Sequence, residues 1–393
     1  MMKIEFTPDS FRKELTERII PYWNALKDEK NGGWCGYVGL DLTRDWMADK
    51  GCILHSRILW FYSNAYMLLG DKSLLENAQH AYRFVRENCI DRENGGIYWS
   101  VTYDGAPSDT TKHTYNQAFS VYALSSYYIA SGDENALNEA KALFETIESR
   151  CRDDGGYLEA FDREWNTDSN EKLSENGVMA TRTMNTLLHI IEAYTELLRA
   201  GCGDAEKPLR KALDIAANKL YNPEKKRLEV FFDGDMNSII DLHSYGHDIE
   251  AAWLIDRACE VLGDDGVSTA MRPICAALED TIINTAFDGR CLLNECCNGE
   301  VDKWRIWWGQ AEGVVGFCNA WQKRPDRTDF IEAAGVIWQY INDTIIDKRP
   351  GSEWLWEVDK DANPNEKREM SGEWKCPYHN GRMCIEIIRR LEK

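Results

Sequence analysis

Ile58-Leu59-Trp60-Phe61-Tyr62-Ser63-Asn64-Ala65-Tyr66-Met67-Leu68-Leu69, then Gly70-Asp71, then residues 74–90, is the stretch that decides the fold. The first segment is apolar almost all round, as expected of a helix enclosed on both sides. In the second, Leu74, Ala78, Ala81, Val85 and Cys89 form a single stripe, the mark of a surface helix with one buried face. Asn94-Gly95-Gly96 then leads into a strand-like Ile97-Tyr98-Trp99.

This unit recurs in pattern more than in identity. Helical patterns pair as 115–130 with 136–147, 184–200 with 209–220, 247–262 with 271–287, and 310–322 with 330–346. A Gly-Asp-type or Pro-Asp turn separates the members of each pair, and a short loop follows. The stripe of Leu209, Leu213, Ala216 and Leu220 repeats the surface-helix pattern, and Val121-Tyr122-Ala123-Leu124 the enclosed one. Segment 11–26 supplies a lone second helix and 379–391 a lone first helix. Joined, they make a sixth unit. The expected fold is all-α: an (α/α)6 barrel of six inner and six outer helices, with short β-hairpin-like loops at one end. Nothing resembles a linker, so 1–393 is expected to be one catalytic domain. An open solenoid of helix pairs is the competing architecture.

Composition narrows the function classes. A formal charge of -20 over 393 residues argues against nucleic acid and anionic membranes, which demand clustered Lys and Arg. No run approaches the roughly 20 apolar residues of a membrane span. Met1-Met2-Lys3-Ile4-Glu5-Phe6 turns polar at once, so no signal-peptide core is expected. A cytoplasmic monomer is the expectation. The 13 cysteines include no C-x-x-C pair and are expected to be buried reduced thiols.

In such a barrel the inner helices all start at one end, and their first turns carry the polar residues. They are His55-Ser56-Arg57, Tyr115-Asn116, Asn185 with His189, His247 with Glu250, Trp308 with Glu312, and His379, Asn380 and Arg382. Convergence of these groups on one cavity makes that rim the candidate active site. Arginine at a helix start lacks the favourable dipole of a helix end, so Arg57 and Arg382 hint at an anion or developing negative charge. His55 and His113 read as structural, and His80 is expected on an outer helix face. His243, His247 and Glu250 could present three ligands to a metal if one helix ran through them, but Gly246 and Asp248 place the helix start near Gly246, leaving His243 in a loop. Trp308 and Trp374 are the candidates for stacking on a sugar ring.

Five blocks in order carry a family resemblance: His55-Ser56-Arg57-Ile58-Leu59-Trp60-Phe61, Met184-Asn185-Thr186-Leu187-Leu188-His189, Ser244-Tyr245-Gly246-His247-Asp248-Ile249-Glu250, Trp307-Trp308-Gly309-Gln310-Ala311-Glu312 and Trp374-Lys375-Cys376-Pro377-Tyr378-His379-Asn380-Gly381-Arg382. They resemble the N-acylglucosamine 2-epimerase superfamily, in particular its cellobiose 2-epimerases. Gly309 departs from the pattern, standing where a larger residue often follows the Trp pair. The resemblance implies epimerisation at C2 of the reducing-end glucose of β-1,4-linked disaccharides, cellobiose giving glucosylmannose and lactose giving epilactose.

It implies functional roles for Arg57, Asn185, His189, His247, Glu250, Trp308, Trp374 and His379, with Tyr115 matching less distinctively. His247 and His379 would exchange the C2 proton through an enediolate. Arg57, with His189, would stabilise its negative charge. Glu250 and Glu312 would orient histidines or bind hydroxyls. No cofactor and no metal are expected. The rival readings are an aldose–ketose isomerase and a glycoside hydrolase; the latter needs a carboxylate pair instead of a histidine pair.

Overall fold

The computed structural model describes residues 5–174 and 176–392. Met1–Ile4, four of the six residues read for a leader, lie outside them. Twelve helices are present among the described residues. The odd-numbered ones are α1 (8–24), α3 (72–89), α5 (134–151), α7 (206–220), α9 (Asp265–Thr285) and α11 (328–345). The even-numbered ones are α2 (Cys52–Leu69), α4 (Thr114–Ser131), α6 (Met184–Arg199), α8 (Tyr245–Leu262), α10 (Trp307–Lys323) and α12 (His379–Leu391).

Each even helix packs on the next, and α12 packs on α2, so the inner ring is closed. Each odd helix backs an even one, α1 serving α12. This is the (α/α)6 barrel, and the closure rules out the open solenoid. The terminal unit is held by Phe11 stacked on Trp338 at 4.4 Å and by Arg12 paired with Glu392 at 2.6 Å. No described helix is long and apolar enough to cross a membrane.

The inner helices begin earlier than hydrophobic periodicity indicates, at Cys52 instead of 58 and at Trp307 instead of 310. Their polar first turns are helical because those side chains find partners in neighbouring loops. His55 Nε2 accepts the Trp34 N–H at 2.9 Å, and Gln117 bonds both the N–H and C=O of Ile97 at 2.7 and 2.9 Å. Asp248 accepts from Leu228 N–H at 3.1 Å, and Gln310 bonds Leu292 N–H and C=O, each at 2.9 Å. The structural reading of His55 holds. His80 lies on the outer helix α3, as expected, but on a covered side: it is buried, 3.2 Å from the Gly33 carbonyl and edge-on to Trp34, because the glycine loop folds back over α3.

The short strands sit at the rim where inner helices start. Lys50–Gly51 pairs with Ser100–Val101, Lys112–His113 with Ala160–Phe161, Arg182–Thr183 with Phe231–Phe232, and Arg305–Ile306 with Glu357–Val358, all antiparallel. A three-stranded version joins Leu242–Ser244 to Glu295–Cys297 and Glu300–Asp302. Beside them runs a repeated ion pair, formed by a cation just before an inner helix and the Asp after the preceding outer helix. Lys50 meets Asp28 at 2.8 Å, Lys112 meets Asp91 at 3.0 Å, Arg305 meets Asp288 at 3.0 Å, and Arg182 meets Asp153. Each carboxylate also accepts backbone N–H groups of its own turn, for example those of Glu93 and Asn94 at Asp91. This fixes the loops that shape the rim. All 13 cysteines are unpaired, and eleven are buried.

Candidate active site

Three histidines from three inner helices are each held by Nδ1. His189 on α6 faces Glu192 Oε2, one turn along the same helix, at 2.9 Å. His247 on α8 meets the Ser244 hydroxyl at 2.7 Å, and His379 on α12 meets Glu312 Oε1 of α10 at 2.8 Å. A carboxylate only accepts, so His189 and His379 carry hydrogen on Nδ1. Among the described residues no protein group bonds any of the three Nε2 atoms, which leaves those nitrogens for a ligand.

His247 and His379 lie against the same indole: the Trp308 ring centroid is 4.6 Å from His247 and 5.6 Å from His379. Gly246 makes this possible, because a Cβ there would stand 2.6 Å from the Trp308 ring. Removal from bulk water pushes His247 down to about 4, with Glu250 pulling the other way. Burial likewise takes His379 well below the usual histidine value, again against the pull of Glu250. A Glu250 carboxylate oxygen lies within 4.8 Å of a His379 ring nitrogen.

Beneath them lies a buried charge cluster. The Arg382 guanidinium bonds Glu192, Glu250 and Glu312 together, the last at 2.7 Å. Burial raises the Glu312 carboxyl even though Arg382 opposes the shift; its second oxygen accepts from the Trp253 indole at 3.0 Å. Burial also works against Glu192, but Arg382 and His189 outweigh it and hold that carboxyl down, at about 2. The anion that Arg382 hinted at is thus three protein carboxylates.

Arg57 is different. It is 2% exposed, pairs with no carboxylate among the described residues, and lies among the rings of Phe119, Tyr378, Tyr115 and Trp374 at 4.2 to 5.9 Å. Its Nη2 donates to the Tyr115 hydroxyl at 2.7 Å, and its Nε has no partner. Asn185 Oδ1 and Glu250 Oε2 are also buried without partners. Buried polar groups elsewhere in the barrel also lack partners, but these three stand near the starts of the inner helices that carry the histidines, where a polar ligand would satisfy them.

Every singled-out residue falls at this end of the ring. Trp374 stands next to Tyr115 and Trp99, at centroid distances of 5.9 and 5.6 Å. Trp374 also borders an open cleft of about 1020 Å³, lined with it by Trp99, Asp109 and Glu373. The metal alternative on His243, His247 and Glu250 is not assembled, since His243 Nε2 turns to Asp248 at 2.8 Å. Glu250, Glu312 and His379 do bring ligand atoms within 4.8 Å of one another, but Arg382 already supplies the positive charge there. Sequence reasoning missed Glu192, Tyr378 and Trp253. The i, i+3 spacing of His189 and Glu192 was a usable signal; the other two read as aromatic packing.

Residues 33–381 match the family model described as N-acylglucosamine 2-epimerase (GlcNAc 2-epimerase). The chain belongs to the N-acylglucosamine 2-epimerase family. Membership makes it a carbohydrate epimerase, an enzyme of the isomerase class. A cellobiose 2-epimerase of Ruminococcus albus is 53% identical over 380 residues, 96% of this chain and 97% of its own. That of Dictyoglomus turgidum is 44% identical over 99% of this chain and all of its own. Among solved structures, a sugar epimerase from a ruminal bacterium superposes with TM-score 0.96 at 52% identity, covering 98% of both chains. The cellobiose 2-epimerase of Bacillus thermoamylovorans does so at 0.93 and 43%, covering 98% of this chain and 99% of its own. A D-mannose isomerase, at 17% identity and TM-score 0.86, shares this epimerase's fold.

Proposed function

We propose that this family member is a cellobiose 2-epimerase working as a single catalytic barrel and a monomer. It inverts C2 of the reducing-end glucose of a β-1,4-linked disaccharide, turning cellobiose into glucosylmannose and lactose into epilactose. The observation that carries this reading is the placing of His247 and His379 against one indole, each anchored through Nδ1. The names of the full-length relatives supply the substrate.

Ring opening exposes the C1 aldehyde, which acidifies the C2 proton. One imidazole takes that proton through Nε2, giving an enediolate and ending as an imidazolium; the other enters the step already protonated on Nε2, gives that proton to the opposite face of C2 and ends neutral. Both histidines are general acid/base groups, and they exchange roles between the forward and reverse reactions. Arg382 gathers the three carboxylates behind the imidazoles, and Glu250 favours the protonated form of both His247 and His379. Arg57 faces the enediolate oxygens with an uncompensated charge. His189, held through Nδ1 by Glu192, presents Nε2 to a substrate hydroxyl. Trp308 and Trp374 pack on the sugar faces, while Asn185, Tyr115 and Glu250 bind hydroxyls. The chain's own residues supply this chemistry without a cofactor.

Incubation with cellobiose in D2O, followed by NMR, tests the reading. Deuterium should appear at C2 of a mannose-ended product without release of glucose. A fructose-ended product would make the protein an aldose–ketose isomerase, and free glucose a hydrolase.

A further inference from the structure

Glu192 lies behind His189 and not in the substrate cavity. Its far side lines a small cavity of about 40 Å³ at the opposite end of the ring, shared with Trp60 and Tyr122. That space fits a few waters and excludes a sugar. The carboxylate is buried and fully engaged: His189 Nδ1 at 2.9 Å, the Tyr378 hydroxyl at 2.6 Å, and the Arg382 guanidinium. A carboxylate paired with one imidazole nitrogen fixes the tautomer and ring orientation and stabilises the imidazolium when the other nitrogen takes a proton. Arg382 extends the link, since the same guanidinium bonds Glu312, the residue that holds His379.

We propose that Glu192 is a positioning residue: it locks His189 with its proton on Nδ1 and Nε2 bare toward the substrate, and through Arg382 it is tied to the Glu312–His379 pair on the neighbouring wall. The consequence for turnover rests on the epimerase reading above; the tautomer itself does not. In Glu192→Gln the amide can either accept from or donate to Nδ1, so the tautomer is no longer dictated. Arg382, short of one anion, is also drawn harder onto Glu312, which weakens that carboxylate's hold on His379.

The experiment is ¹⁵N-histidine NMR on the ligand-free full chain, with cellobiose kinetics in parallel. The wild type should show His189 protonated at Nδ1. Glu192→Gln should show a mixture of tautomers, kcat lower by about tenfold or more, KM within about twofold, and partial recovery in Glu192→Asp, which keeps the charge. A folded Glu192→Gln protein with the His189 tautomer or kcat unchanged overturns the proposal. Should that variant fail to fold, Tyr378→Phe removes a competing donor and keeps the carboxylate. The His189 Nδ1 proton should then shift downfield as its bond to Glu192 tightens; an unmoved resonance overturns the proposal. A wild type that leaves cellobiose untouched removes the cellobiose reading, and the tautomer measurement still decides this one.

Discussion

His379 and Glu312, from neighbouring inner helices, meet through Nδ1 and Oε1 at 2.8 Å, while His247 relies on the Ser244 hydroxyl at 2.7 Å. One imidazole is thus backed by an anion and the other by a neutral group. His247→Ala and His379→Ala should each lower kcat about 10²- to 10⁴-fold. Glu312→Gln should act in the same direction more mildly. Chromatographic quantitation of glucosylmannose gives the answer, and full turnover in either alanine variant removes the proposed roles.

The pH dependence has a definite sign. Burial lowers both imidazoles, His247 to about 4, so the base stays unprotonated well below the ordinary histidine value of about 6.5. The acid limb of kcat/KM should therefore fall below 6.5, toward 4. The same shift means that the unfolded chain takes up protons at these histidines before the folded one does. Their contribution to stability is therefore lost as pH drops from about 6.5 toward 4. Circular dichroism at each pH separates that loss from titration of the site; an acid limb at or above 6.5 in folded protein contradicts the assignment.

Arg57→Lys is not a conservative change here. The guanidinium donates to Tyr115 at 2.7 Å and lies against the Phe119 ring at 4.2 Å, contacts that a point-charge ammonium cannot reproduce. Loss of an oxyanion-type donor costs about 10²- to 10³-fold in kcat. Steady-state kinetics should show that loss with little change in melting temperature.

Gly246→Ala should evict Trp308 from its seat between the imidazoles, because the added Cβ would come within 2.6 Å of the indole. Weaker tryptophan quenching on addition of cellobiose and a raised KM are the expected readouts. Unchanged quenching and KM would mean that Trp308 does not stack on the sugar.

Stability should depend on the rim ion pairs more than their surface counterparts. Lys112 and Asp91 are fully buried, so Asp91→Asn leaves an uncompensated ammonium, a loss of about 3–5 kcal/mol. Breaking the exposed Lys13–Glu17 pair should cost about 1 kcal/mol or less. Urea unfolding of the two variants compares them directly.

Much of this was legible in the chain. The contrast between Ile58-Leu59-Trp60-Phe61-Tyr62 and the stripe from Leu74 to Cys89 separates inner from outer helices, and the lone helices at the two ends imply closure. The first turns point to the rim because a closed ring aims all inner N-termini one way. Pairings between distant segments were not legible. Arg382 draws Glu192, Glu250 and Glu312 from three other helices, and Trp253, inside an apolar run, turns out to donate to Glu312. The cation–Asp pairs escaped notice for the same reason: Lys112 and Asp91 are ordinary charged residues until the rim brings them together.

The first turns of the inner helices also divide into two sets. His55, Gln117, Asp248 and Gln310 anchor backbone, while Arg57, Tyr115, His247 and Trp308, one or two positions away, face the cavity. Anchorage and reactivity thus occupy separate slots on the same turn. A barrel wired this way can exchange its reactive groups during evolution, or at a designer's bench, and keep its ring intact.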